Sequence, residues 1–188
     1  MPSPVSQRRH SRPHFTLIGW LFHYQGRTPG VEGGDNPSVR LDMGNMPQPD
    51  AVLFVQPEYR GQVKIDADDY LSGAPDLVAE VSASSESYDL NAKFQAFQRN
   101  GVREYIVWRV LKQQVDWYVL REAGYEQLAP EADGTLRSTI FPGLWLDPAA
   151  LMRNDLDTLM DVLQRGLDSP EHAGFAAHLR DRRAGPTG

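Results

Sequence analysis

The chain has 188 residues, 40% of them hydrophobic, a net charge of -6 and no cysteine. That length suits one domain with a sizeable core, and the missing cysteines exclude disulfides, thiolate metal sites and cysteine nucleophiles, in keeping with a reducing cytoplasm as the expected location. The acidic balance excludes a grip on nucleic acid by bulk electrostatics, so any contact with DNA must be local; no apolar run reaches the ~18 residues of a membrane helix, and the opening MPSPVSQRRHSRPH lacks the apolar centre of an export signal.

Residues 1–12 are polar and basic and are expected to be disordered or frayed. PHFTLIGWLFHYQ (13–25) predicts a helix, with Phe15, Ile18, Leu21 and Phe22 recurring at helical spacing and Gly26 as its stop. After the Gly/Pro/Asn-rich loop GRTPGVEGGDNP, the runs SVRLDM and DAVLFV predict neighbouring strands separated by GNMPQP. Residues 56–75 read as a loop with a short strand near 62–66, and DLVAEV (76–81) as the next strand. DLNAKFQAFQRNG predicts a helix with Ser87 or Asp89 as cap, Leu90, Phe94 and Phe97 as its apolar stripe and Asn100-Gly101 as its end. VREYIVWRV and QVDWYVL predict two strands joined at Leu111-Lys112-Gln113, with GYEQLAP and TLRSTI as a further pair. Residues 148–165 predict an amphipathic helix carrying Leu151, Leu156, Leu159, Met160 and Leu163, and 167–188 a flexible tail with room for one weak helix before RRAGPTG. The order of elements is that of an α/β domain over 13–166, a central mixed β-sheet flanked by helices.

Two Pro-Asp steps precede apolar strands: Pro49-Asp50 before AVLFV and Pro75-Asp76 before LVAEV. On the second strand Asp76, Val78, Glu80 and Ser82 share one face, opposite Leu77, Ala79 and Val81. Glu80 is therefore a carboxylate inside apolar flanks, which costs several kcal/mol, roughly, unless a cation, a metal or a proton compensates it. Lys93 is the candidate cation, because Leu90, Lys93, Phe94 and Phe97 fall at i, i+3, i+4 and i+7 on the inward stripe of the following helix. Asp50, heading the adjacent strand, supplies a second carboxylate. Two carboxylates and a lysine on neighbouring elements are a recurrent device for metal-assisted phosphodiester hydrolysis, with carboxylate oxygens on Mg²⁺ and the lysine serving the phosphate or the attacking water.

The blocks QPDAVLFV, GAPDLVAEVSASS, the step from Asp89 to Lys93, NGVREYIVW and the closing FPGLWLDPAAL resemble, over about residues 10–155, the Uma2-like restriction endonuclease family of the PD-(D/E)XK nuclease superfamily. The resemblance implies a restriction-endonuclease-like core, DNA cleavage with Mg²⁺ (Mn²⁺ as a substitute) and self-association, here as a homodimer. Residue by residue it puts the catalytic set on Asp50, Glu80 and Lys93, with Asp50 and Glu80 as metal ligands. The lysine expected two residues after the glutamate is absent, since position 82 is Ser82, and Lys93 takes its place. The chain departs from the family pattern in lacking an early acidic hairpin, in carrying Arg109 where the strand usually ends on aspartate, and in reading Ser82-Ala83-Ser84-Ser85 at the Ser-Pro-Ser-Thr turn. These departures keep a second reading open, a catalytically inactive binding or oligomerisation module on the nuclease fold.

Other candidates have plainer readings. Asp76 stands ~13 Å along the strand from Glu80, too far to share a metal, and is expected in a turn or supporting role. His10 and His14, at i and i+4, lack a third ligand. Arg8, Arg9 and Arg12 could touch phosphate, with a solvated tail as the simpler account, and Tyr105, Trp108, Trp117 and Tyr118 are expected as core aromatics rather than base-stacking groups.

Overall fold

Apolar runs on both sides of two Pro-Asp steps build the centre of the molecule. The computed structural model describes residues 6–42, 44, 46–83 and 87–183, and the side chains of all of these except 87–90. The expected capping by Ser87 or Asp89, the packing of Leu90, the turn at Ser84-Ser85 and the two chain ends at 1–5 and 184–188 lie outside the described residues. In chain order, a helical turn at Gln7–Ser11 leads into α1 (Arg12–Gln25), followed by β1 (Val31–Asp35), β2 (Val39–Arg40), β3 (Ala51–Val55), β4 (Lys64–Ile65), β5 (Leu71–Ser72) and β6 (Leu77–Ser82). Then come α2 (Ser87–Asn100), β7 (Glu104–Arg109), β8 (Gln114–Arg121), β9 (Gly124–Gln127), β10 (Leu136–Arg137), β11 (Trp145–Leu146), α3 (Pro148–Arg153), α4 (Leu156–Leu167) and α5 (Pro170–Arg182).

Among the described residues the main sheet has the order β1-β3-β6-β7-β8-β9. β6 and β7 are parallel, joined by α2 as the crossover, and the other pairings are antiparallel. The sheet is thus mixed, as expected, and helices cover both of its faces. Leu77, Ala79, Val81, Ile106, Trp108 and Trp117 point to the face packed by α1, α3, α4 and α5. Val52, Phe54, Val78, Tyr105 and Val107 point to the other, which Phe94 and Phe97 of α2 cover. Burial on both faces is why β3 and β6 read as unbroken apolar runs rather than alternating ones.

Several elements differ from the sequence expectation. β3 does not neighbour β2, which instead joins β5 and β4 in a small separate sheet; its edge-side partner is β1, formed by VEGGD inside the stretch that reads as a loop. Glycine allows this strand because Gln25 of α1 reaches in to accept the Gly33 N–H at 2.9 Å, and a Cβ at Gly33 would stand 3.0 Å from that same oxygen. The buried stripe of α1 is Leu17, Trp20, Leu21 and Tyr24, which leaves Phe15 79% and Phe22 68% exposed. β9 pairs with β8, and β10 with β11. The helix expected over 148–165 is broken at Asn154, whose left-handed φ of 58° ends α3, and Asp155 then caps α4 by accepting from Thr158 N–H; Leu156 is exposed as a result. The helix allowed for in the tail is α5, capped by Ser169 and packed rather than flexible, with Leu179 and Ala176 buried. Residues 7–11, expected to be disordered, form the helical turn that extends α1.

One buried charge ties the loop after β10 to the sheet. Glu104, fully buried, accepts from Ser138 Oγ (2.7 Å), Thr139 N–H (2.7 Å), Thr139 Oγ1 (3.0 Å), Ile140 N–H (3.3 Å) and Trp117 Nε1 (3.3 Å). Burial raises its pKa above the ordinary 4.5, and those donors offset part of the rise. A carboxyl whose folded pKa lies above its unfolded value binds more protons when folded, so its contribution to stability falls as pH climbs from about 4.5 through the raised value. Glu104→Ala, which strands its donors in the core, is expected to lower unfolding stability by on the order of 3 kcal/mol in a urea titration. The gap between wild type and variant should narrow as pH rises through that window; a variant as stable as wild type would refute the role.

Candidate active site

The site begins with the antiparallel pairing of β3 and β6. Ala51 faces Ala79 and Leu53 faces Leu77, so one further step of the register sets Asp50 opposite Glu80. A proline cannot donate a ladder hydrogen bond, and towards each end of this pair the aspartate after the proline takes a partner-strand N–H with its side chain. Asp50 Oδ2 accepts from Val81 N–H at 2.6 Å, and Asp76 Oδ2 accepts from Val55 N–H at 2.9 Å. The two Pro-Asp steps are a matched pair of clamps on one two-stranded unit.

Their surroundings separate them. Asp76 is buried and takes an ion pair from Arg103 Nη1 at 3.0 Å; burial raises its pKa, while the Val55 N–H and Arg103 pull it back. It is structural, in line with its distance from Glu80. Among the described residues Asp50 has no arginine of this kind. Its backbone oxygen accepts from Asn36 N–H at 3.0 Å and lies 3.1 Å from His14 Nε2, and its Oδ1 stands 3.6 Å from His10 Nε2. His14 also reaches Asp35 Oδ1 at 3.1 Å, so the start of α1 is latched over the head of β3. The histidines that read as an isolated pair at a frayed helix start therefore line the wall of the site. Sequence spacing does not reveal this, because the contact runs across 36 to 40 residues.

Glu80 is 7% exposed and Lys93, one turn and a half into α2, is 26% exposed. The Lys93 ammonium donates to both Glu80 oxygens, at 3.0 Å and 3.2 Å. The inward phase of Lys93 follows from Phe94 and Phe97 packing on Tyr105 and Tyr118, which fixes the rotation of the helix about its axis. The sheet register carries the same row onward: Glu80 faces Val107, and Val107 faces Asp116 on β8. Asp116 accepts from Arg109 Nε at 2.5 Å, from Gln114 Nε2 at 2.6 Å and from Gln127 Nε2 at 3.1 Å. Arg109, standing where the family pattern has aspartate, thus meets a carboxylate offered by the next strand. Burial lowers its pKa, but the Asp116 contact outweighs that and the net shift is upward.

Two carboxylates on facing strand positions, both hard oxygen donors, are the donor set of a Mg²⁺ or Mn²⁺ held through few protein ligands with water on the rest. Among the described residues no group of three or more His, Cys, Asp or Glu comes together as a metal cluster.

The family model described as "Uma2: Putative restriction endonuclease" matches residues 1–149. The chain belongs to the Uma2 family. Membership supports a nuclease function, and it extends over all the elements just described from α1 to the start of α3. The fold has a counterpart in a solved structure, a "putative nuclease belonging to DUF820" from Anabaena variabilis, at a TM-score of 0.55 and 14% identity over 81% of this chain and 86% of that one. No curated protein matches the chain in sequence. Within the Uma2 frame, the glutamate inside an apolar strand and the lysine on the next helix are one unit. A double-mutant cycle of Glu80→Gln and Lys93→Met, read by urea unfolding, is expected to give a coupling energy of about 1–3 kcal/mol; additivity within ~0.3 kcal/mol would contradict the pairing.

Proposed function

We propose that this protein is a metal-dependent endodeoxyribonuclease, hydrolysing phosphodiester bonds of DNA with Mg²⁺, and with Mn²⁺ as a substitute. The observation that carries this reading is the Lys93–Glu80 ion pair set directly opposite Asp50 by the β3–β6 register. A carboxylate pair beside one lysine is what in-line attack of water on a phosphodiester needs: oxygen ligands for a cation, and a fixed ammonium for the charge that develops on the phosphoryl oxygens.

Asp50 and Glu80 would hold the metal. When bound, it supplies Lewis-acid polarisation of the phosphoryl oxygen and a water acidic enough to attack near neutral pH. The chain's own residues do the rest. The Val81 N–H pins one Asp50 oxygen, so the other is presented in a fixed direction instead of rotating freely. Glu80 is held on a strand buried on both faces, with no loop freedom to lose on binding. Lys93, held by its ammonium against both Glu80 oxygens, is set to stabilise charge on a phosphate oxygen or to orient the incoming water.

The homodimer implied by the family resemblance is part of the same reading. It is supported by the exposed Phe15 and Phe22 on α1, beside the edge strand β1. No helix among the described residues is long and apolar enough to cross a membrane.

Supercoiled plasmid and single-stranded DNA incubated with Mg²⁺ or Mn²⁺ provide the test. Wild type is expected to nick or linearise the plasmid, chelation to stop it, and Asp50→Asn, Glu80→Gln and Lys93→Ala each to slow the initial rate by roughly 100-fold or more. Absence of wild-type cleavage, or wild-type rates in all three variants, would replace this reading with the inactive binding module.

A further inference from the structure

A nuclease carrying a net charge of -6 has to overcome its own repulsion for DNA, and the structure concentrates the means in one place. The helical turn Gln7–Ser11 and the first residue of α1 bring Arg8, Arg9 and Arg12 together as exposed side chains. The turn packs against the 3-10 turn Val110–Lys112 that follows β7, which adds the exposed Lys112. Arg8 and Arg12, one helical turn apart, line a cavity of 160 Å³ with the amides Gln113 and Asn154 and the edge of Trp108. No acidic residue lines that cavity among the described residues.

This cluster borders the candidate active site. His10 lies between Arg9 and Arg12 in the same turn, and it is the residue whose ring stands 3.6 Å from Asp50. Trp108 and Val110 at the cavity flank Arg109, whose side chain sits on the opposite face of β7, the face that carries Glu80. The carboxyl-terminal end of β7 is therefore bracketed by arginines on both sides, next to the carboxylate pair.

We propose that Arg8 and Arg12, with Gln113 and Asn154, bind the phosphate backbone of a nucleic acid and so lead the strand to Asp50 and Glu80. The proposal rests on the nuclease reading for what happens at the end of that path, but the binding it claims is measured separately. Arginine forks joined by amide donors are the chemistry of backbone contact, sequence-independent and salt-sensitive. Because both arginines are exposed and neither forms an ion pair among the described residues, substituting them does not touch the core.

The test uses the full chain, a fluorescent DNA duplex, fluorescence anisotropy and a chelator, with KCl varied between about 50 and 200 mM. Each phosphate contact contributes about 0.9 to the slope of log affinity against log salt, so Arg8→Ala/Arg12→Ala is expected to flatten the slope by nearly two and to weaken binding about tenfold or more. Arg8→Glu/Arg12→Glu should weaken it further, while Lys64→Ala, on the small sheet, should bind as wild type does. A double variant with wild-type slope and affinity would overturn the proposal, as would a wild type that does not bind the duplex. If wild type binds in an arginine-dependent way yet does not cleave when Mg²⁺ or Mn²⁺ is added, the binding proposal stands and the nuclease reading fails.

Discussion

The antiparallel register of β3 against β6 is the constraint on which the rest of the site depends. It is held towards both ends by the same device, an aspartate that follows a proline and accepts a partner-strand N–H with its side chain. Because side chains alternate with a period of two, a slip of one residue would turn Glu80 to the face occupied by Trp20 and Trp117 and away from Lys93. The clamp at Asp76 is neutralised by Arg103 and serves the fold alone. The clamp at Asp50 is left beside a second carboxylate, and that asymmetry is what turns a structural device into a candidate metal site. Stability and chemistry share one residue here, so a change at Asp50 touches both.

How much of this is legible in the sequence follows from which contacts are local. Glu80 within an apolar run and Lys93 on the inward phase of the next helix are both readable from periodicity, and the structure brings them into direct contact. The strands β3, β6, β7 and β8 are readable for the same reason. Contacts that close over long separations are not: His10 and His14 against Asp50, Asp116 answering Arg109 from the next strand, and Glu104 gathering donors from 34 to 36 residues away have no periodic signal. VEGGD fails to read as a strand because Gly33 is there to admit Gln25, a tertiary demand that outweighs strand propensity. In α1 an apolar stripe can be drawn through Phe15 and Phe22, yet the packing selects Trp20 and Tyr24, whose polar atoms reach the Trp145 and Pro142 carbonyls. Size and a hydrogen-bonding tip decide between two stripes that hydrophobicity alone leaves equal.

The charge distribution gives the acidic composition a physical sense. Most acidic groups are either spent inside the fold, as with Asp76, Glu104 and Asp116, or spread over the surface, whereas the end of the sheet next to Asp50 collects arginines. On the proposed reading, such a molecule would repel polyanions in general and admit them at one place, favouring productive approach over indiscriminate binding. The replacement of aspartate by Arg109 at the end of β7 fits that pattern, with Asp116 on β8 preserving a carboxylate at the same end of the sheet.

The central claim is that Asp50 and Glu80 hold one cation between them. The most direct measurement is anomalous diffraction from crystals of the protein soaked in Mn²⁺. The account predicts a single anomalous peak within about 2.2 Å of a carboxylate oxygen from each of the two residues, with water completing the coordination, and no such peak in crystals of Asp50→Asn. A peak bound to neither, or to only one of them with the other still closed on Lys93, would contradict it.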